Sequence, residues 1–229
     1  MTKSFIIAID GPASSGKSTS AMLVAQKLGY LYIDTGAMYR AITLLAIENK
    51  VLNNSDEVIA LANASKIDLV YTAGTTKVFL NERDVTEDIR SKEVNKFVSP
   101  ISKISGVREA LVKKQRILAQ NNSGIVMEGR DIGSVVFPDA DVKIFLTASI
   151  EQRTVRRVKE YDSKGIKVSV EEIKSNLESR DKIDSSRENS PLIKAPDAFE
   201  VDTSKVTIEQ QVEIILEKVR QTAGKKNNG

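Results

Sequence analysis

The chain has no cysteine, no histidine and no tryptophan among its 229 residues. Without cysteine there is no disulfide framework, no thiolate nucleophile and no cysteine-held zinc or iron–sulfur centre; without histidine the commonest general base and metal ligand is gone. Catalysis must draw on lysine, arginine, carboxylates, hydroxyls, backbone amides and a bound ion. Long apolar runs are missing as well. The run Phe5–Ile9 stops at Asp10, too short for a signal-peptide core or a membrane span, and no run elsewhere comes close. A soluble, cytoplasmic protein is expected. Nor is there a large surplus of charge: 34 Lys and Arg face 31 Asp and Glu, a net +3. That balance tolerates anionic ligands but argues for neither nucleic acid nor a membrane surface as partner.

What is present is ordinary for a globular protein, with 41% hydrophobic and 28% charged residues, and the length suits one large domain or a core carrying insertions. Short apolar runs recur at Phe5–Ile9, Tyr30–Ile33, Ile125–Met127, Val142–Leu146 and Ala198–Val201. They read as buried parallel strands. Between them, Ser18–Leu28 and Ala37–Ile47 carry apolar residues at helical spacing, as does Ile208–Arg220 near the end, so the pattern is a doubly wound α/β sheet with right-handed crossovers. The alternation breaks twice. Between about Ser55 and Ser99, Ile67–Thr72, Ala73-Gly-Thr-Thr76 and Lys77–Asn81 read as an inserted β-hairpin with a small third strand near Val85. From Arg153 to Lys194 charged residues and serine dominate and Val170–Asp181 is the one strong helical pattern, which suggests a mobile flap. The terminal Gly-Lys-Lys-Asn-Asn-Gly is expected to fray.

Gly11-Pro12-Ala13-Ser14-Ser15-Gly16-Lys17-Ser18 matches G-x-x-x-x-G-K-[ST], after an apolar strand and opening a helix. The two glycines let successive backbone N–H groups turn inward around phosphate oxygens, and the helix starting near Lys17 adds its positive dipole end. Lys17 is expected between the β- and γ-phosphates, with the Ser18 hydroxyl as a Mg²⁺ ligand. A nucleoside triphosphate is the expected first ligand. A guanine-reading N-K-x-D is not found, since Asn95-Lys96-Phe97 leads into Val98. An ATP-driven motor would usually end a strand in Asp-Glu, whereas Ile125-Val-Met leads into Glu128-Gly-Arg130-Asp131. That Arg-Asp pair suggests a second anionic or polar substrate. Arg40 after the second strand, Arg108 within a helix, and Arg180, Asp184 and Arg187 in the flap are candidates to hold it. Each arginine alone reads equally well as a solvated surface residue; their places around strand ends favour a clamp on a phosphate monoester.

These segments, with Tyr32-Ile-Asp-Thr-Gly-Ala-Met-Tyr-Arg40, Val107-Arg-Glu-Ala-Leu111, Glu128-Gly-Arg-Asp-Ile-Gly133, Val136-Phe-Pro-Asp-Ala140 and Arg180-Asp-Lys-Ile-Asp184, resemble the bacterial cytidylate kinases (CMP/dCMP kinases) of the P-loop nucleoside monophosphate kinase family. The resemblance implies a P-loop kinase fold: a doubly wound five-stranded parallel sheet, a small antiparallel β insert and a helical lid. It implies a core over residues 1–61, 105–152 and 195–229, a monophosphate-binding insert at 62–104 and a lid at 153–194. It implies transfer of the ATP γ-phosphoryl group to CMP or dCMP with Mg²⁺. Gly11 to Thr19, with Arg156 and Arg157, would bind ATP; Arg153 resembles a further lid arginine. Lys17, Arg130 and Arg157 would be catalytic. Arg40, Arg130 and Arg108 would hold the acceptor phosphate, with Asp34, Thr35 and Asp131 near sugar and phosphate. Ser99, Arg108, Arg180, Asp184 and Arg187 would read cytosine, an Asp accepting from N4. The loop lacks the middle glycine of many relatives, and Thr35 stands where some have Ser. The alternatives are a P-loop kinase for another monophosphate or a small metabolite, and a nucleotide-dependent binding module. A monomer without nucleic-acid or membrane partners is expected.

Overall fold

The computed structural model describes residues 4–72, 75–120, 122–163 and 165–227. Strand β1 (Phe5–Asp10) leads through the glycine-rich loop into α1 (Lys17–Leu28), then β2 (Leu31–Asp34) and α2 (Thr35–Glu48). After the insert and α5 (Ser105–Gln120) come β6 (Gly124–Gly129), a π-helical turn (Ile132–Val136), β7 (Val142–Thr147), two lid helices α6 (Ile150–Ser163) and α7 (Val170–Ser185), then β8 (Phe199–Asp202) and α8 (Ile208–Asn227). The sheet is five-stranded, ordered β2-β6-β1-β7-β8, and every pair in it is parallel. This is the expected doubly wound core.

Both faces of the sheet are buried, which is why its strands read as continuous apolar runs. On one side Ile7, Ile9, Tyr32, Val126 and Ile144 pack against Val24 of α1 and Val212, Ile215 and Val219 of α8. On the other, Ile6, Ala8, Ile33, Ile125 and Met127 meet Ala119 of α5 and Ile132 and Val136 of the π turn. A separate core joins α2, α5 and the insert around Met38, Ile42, Val58, Val78, Ile89, Val98 and Leu111.

The insert holds the expected hairpin, β3 (Ile67–Thr72) against β4 (Thr75–Leu80), with β5 at Arg83–Asp84 beside β4. Its turn residues Ala73 and Gly74 lie outside the described residues. The stretch where the alternation breaks also contains helices α3 (Ser55–Ala64), most of which precedes the expected insert at 62–104, and α4 (Lys92–Ile101), neither of which the broken alternation suggests. The lid differs in the same direction. Besides α7 it has α6, whose most buried residues are the polar Arg153 and Thr154; its apolar contacts, Ile150, Val158 and Tyr161, are only partly buried against the cluster of Ile173 and Leu177, so charged neighbours dominate the pattern. α8 runs through Asn227, past the expected stop at Arg220, and Asn228 and Gly229 lie outside the described residues. No described helix is long and apolar enough to cross a membrane.

Register decides where chemistry can occur. Asp10 pairs with Gly129 and with Phe145, Asp34 with Glu128, and Thr147 with Asp202. The carboxyl ends of all five strands therefore form one edge, where open α/β sheets bind ligands.

Candidate active site

The loop Gly11–Gly16 leaves that edge at the middle strand. Gly11 has φ 154°, and a Cβ there would sit 2.2 Å from the Leu146 carbonyl oxygen on β7, so the turn is closed to any other residue. Gly16 has φ 93° and immediately precedes α1. Lys17 is 7% exposed, with Nζ 3.1 Å from the Pro12 carbonyl and 4.0 Å from Glu128 Oε2. Burial and the nearby Arg130 push its pKa down to about 7, against the pull of Glu128 and Asp34. Ala13 and Ser15 are buried in the loop, while Ser18 and Thr19 are exposed on the first turn of α1.

Glu128 closes the floor. It is 1% exposed and accepts from Tyr32 Oη at 2.6 Å, with the Ser18 hydroxyl also beside it; burial, then Asp34, raises its carboxyl, and Ser18 and Tyr32 pull it down. Asp34 caps α2 by accepting from the Ala37 N–H at 3.0 Å and holds Arg40 Nη2 at 2.8 Å. Burial would raise Asp34, but Arg40 and the cap bond outweigh it and leave it below the ordinary carboxylate value. The Thr35 hydroxyl donates to the Glu128 carbonyl at 2.7 Å.

A second group lies across the cleft. Arg130, just past β6, donates from Nε to Asp184 Oδ2 on α7 at 2.7 Å, and the other oxygen of Asp184 takes Arg187. Burial opposes the Asp184 charge, but Arg130 and Arg187 overcome it and hold the carboxyl down. Arg187 also reaches Ser102 Oγ at 2.9 Å. Arg108 pairs with Asp131 and stands 5.3 Å from the Tyr39 ring centre. Buried Ser99 accepts from Ser102 Oγ at 2.9 Å through its carbonyl. Arg180 is pushed down to about 10 by burial and by Arg130 and Arg157, and its Nε is buried without a hydrogen-bond partner.

All of these groups open on one cleft of about 720 Å³. Of the predicted site residues, Gly11, Pro12 and Ser15 of the loop and Arg153 of the lid do not line it, and all the others do. From the lid, Arg157 lines the cleft beside Glu160, 2.8 Å from its Nη1. Arg156 lines it too but is turned onto Thr203, donating to its hydroxyl at 2.9 Å and its carbonyl at 2.6 Å. Arg153 does not line it: it is 6% exposed and bonded to Asp181 Oδ2 at 2.6 Å. Sequence reading gave no role to Glu128, although its place at a strand end was a signal. It also passed over Arg90, which lines the cleft from a 3₁₀ turn with no motif around it, and Asp10. Asp10 is buried, accepts the Ile132 and Gly133 N–H groups at 2.8 Å each, and is raised to about 7 by burial in spite of them.

Among the described residues no group of three or more carboxylates could hold a metal ion on its own. The oxygens meeting at Ser18 and Glu128 fit Mg²⁺, which binds through one or two protein ligands and takes the rest from phosphates and water.

A glycine-rich loop and lysine at a helix N-terminus, facing an arginine cluster across one cleft on this sheet, define a P-loop phosphotransferase. A family model described as cytidylate kinase matches residues 7–221. A cytidylate kinase of Bacillus licheniformis is 51% identical over 227 residues, covering 98% of this chain and all of that one. One of Bacillus subtilis is 49% identical over 222 residues, covering 96% and 99%. The chain belongs to the cytidylate kinase family. A solved structure of an uncharacterized protein from Eubacterium ventriosum shares the fold with a TM-score of 0.53 at 14% identity, covering 96% of this chain and 99% of that one.

Proposed function

We infer that this protein transfers the γ-phosphoryl group of ATP to CMP or dCMP, giving ADP and CDP or dCDP. The observation that carries the reading is that Lys17 of the phosphate loop and the arginines Arg40, Arg108, Arg130, Arg180 and Arg187 line the same cleft. Two anions must approach each other for phosphoryl transfer, and their repulsion is the main obstacle that a protein can remove.

The acceptor phosphate already carries an anionic oxygen, so direct in-line attack on the γ-phosphorus needs no general base and no phospho-enzyme. This accords with a chain that has no histidine. Gly11 to Thr19 cradle the triphosphate with backbone N–H groups, and Lys17 neutralises charge between the β- and γ-phosphates. Arg40 and Arg130, with Arg108, hold the acceptor phosphate, and Asp34, Thr35 and Asp131 set its position. Ser99, Arg108, Arg180, Asp184 and Arg187 read the base, with Asp184 accepting from the cytosine N4 amino group. Arg157 covers the transferring group and Arg156, bonded to Thr203, ties the lid down beside the ATP loop, so that water, which would otherwise take the phosphoryl group, is excluded. Mg²⁺, held by Ser18 with support from Glu128, would supply further positive charge to the β- and γ-phosphate oxygens.

The large apolar side chains left exposed, among them Val70, Ile117, Val155, Val170, Ile193 and Phe199, are spread over separate segments, which supports a monomer. A cytoplasmic enzyme working on free nucleotides fits this reading. The test is a panel of nucleoside monophosphates in an ADP-release assay: CMP and dCMP should be consumed fastest. Faster turnover of AMP, GMP or UMP, or of a metabolite such as shikimate, would sink it.

A further inference from the structure

A phosphate loop binds anions only while its N–H groups point inward, which turns its carbonyls outward and leaves them in need of partners. Three successive carbonyls here find donors in other segments. Ala13 O takes Arg153 Nη1 at 3.4 Å, Ser14 O takes Arg156 Nη1 at 3.4 Å, and Ser15 O takes the Thr203 hydroxyl at 2.8 Å. The Thr203 bond is much the shortest.

Thr203 is fully buried and follows β8. Its N–H donates to the Thr147 carbonyl at 2.8 Å, which fixes it to the end of β7. Its hydroxyl lies 2.8 Å from Ser15 O and 2.9 Å from Thr147 O. It has a single proton, and since Thr147 O is already served by the backbone, that proton belongs to Ser15 O. The hydroxyl lone pair accepts Arg156 Nη1 at 2.9 Å, and the Thr203 carbonyl accepts Arg156 Nη2 at 2.6 Å. One side chain therefore ties the phosphate loop to the sheet edge and to lid helix α6. Arg153 supports the same loop from the lid side, anchored by Asp181 on α7 at 2.6 Å and by Ala148 O at 3.1 Å.

We propose that Thr203 is a positioning residue for ATP binding: its hydroxyl holds the outward carbonyl of Ser15 so that the loop's N–H groups stay aimed at the triphosphate, with Arg153 as a second support. The inference rests on reading Gly11–Ser18 as the ATP loop, and not on which monophosphate is the acceptor.

The test is Thr203→Val, which keeps the shape and removes the hydroxyl, with Thr203→Ser, which keeps the hydroxyl. ATP and CMP affinities are titrated separately on the full chain, with melting temperatures alongside. Thr203→Val should weaken ATP about tenfold or more, the effect of leaving a buried polar group unpaired, with CMP changed less than about twofold and Thr203→Ser close to wild type. Unchanged ATP binding in Thr203→Val overturns the proposal. So does an equal loss for both nucleotides that Thr203→Ser fails to restore, because that pattern marks a general packing role. If Thr203→Val does not fold, Arg153→Met takes its place with the same readouts: weaker ATP with unchanged CMP supports the proposal, and unchanged ATP overturns it. A wild-type protein that binds ATP but no CMP would defeat the proposed acceptor while leaving the ATP arm of this test intact.

Discussion

Arg130 Nε and Asp184 Oδ2 lie 2.7 Å apart, joining the end of β6 to lid helix α7. The residue assigned to the acceptor phosphate is thus held by the residue assigned to the base. Asp184→Ala removes both that anchor and the acceptor for cytosine N4. Loss of the anchor affects every monophosphate, while loss of the N4 contact affects cytosine alone. We expect kcat/KM for CMP to fall about 10–100-fold, as for a hydrogen bond to a charged group, and for UMP to fall clearly less. Equal losses for the two nucleotides in steady-state assays would show that Asp184 acts through its arginines only.

Lys17→Ala should lower kcat by about 10³-fold, the scale of losing one preorganised charge donor in a dry site. The fold should survive. Lys17 is buried beside Arg130 and its ammonium is disfavoured there, so removing it relieves an electrostatic cost and the melting temperature should not drop. Near-normal turnover in this variant would end the mechanism, and a large drop in melting temperature would show that the lysine supports the fold.

The same residue gives a pH signature. The Lys17 pKa is lowered from 10.5 to about 7 in the free protein, first by burial and then by Arg130. Between those values the folded protein binds fewer protons than the unfolded chain, so Lys17 makes stability rise with pH across that window. A bound triphosphate favours the ammonium again. At pH 8, ATP binding should therefore take up close to one proton, measurable by calorimetry in buffers of different ionisation enthalpy, and Lys17→Met should abolish the uptake. Identical proton uptake in wild type and variant would place the titration elsewhere.

The core and the loop were legible because their physics is local. Strands buried on both faces must read as apolar runs, so Phe5–Ile9 and Val142–Leu146 locate β1 and β7, and G-x-x-x-x-G-K-S marks the turn that follows β1. The lid was less legible. Arg153 and Thr154 are the most buried residues of α6, and its apolar contacts Ile150, Val158 and Tyr161 are only partly buried, so the hydrophobic period is faint among its charges. Arg156 looked like a phosphate ligand by position, yet it is bonded to Thr203, some fifty residues further along the chain. Thr203 and Asp10 act through long-range hydrogen bonds to backbone groups, and such bonds leave no spacing in a sequence. They become visible only when the strand register brings Asp10 to Gly129 and Thr147 to Asp202.

Gly11 offers the sharpest test of how the sheet shapes the loop. A Cβ there would meet the Leu146 carbonyl oxygen at 2.2 Å, and that oxygen is backbone in β7, which pairs directly with β1 from Ile7 to Asp10. No side-chain rotation can relieve the contact. Gly11→Ala must either part the two strands beyond Asp10 or shift the loop, and both routes move Lys17 from its place 3.1 Å from the Pro12 carbonyl. Gly16 is different, because a Cβ there would meet Gln211 Oε1 at 2.9 Å, the end of a flexible side chain, and its main obstacle is φ 93°. Gly11→Ala should therefore weaken ATP by at least about tenfold and lower the melting temperature by several degrees, as for a substitution costing about 1–3 kcal/mol. Titration and thermal unfolding would check both effects. Wild-type values in each would show that β7 does not set the shape of the phosphate loop.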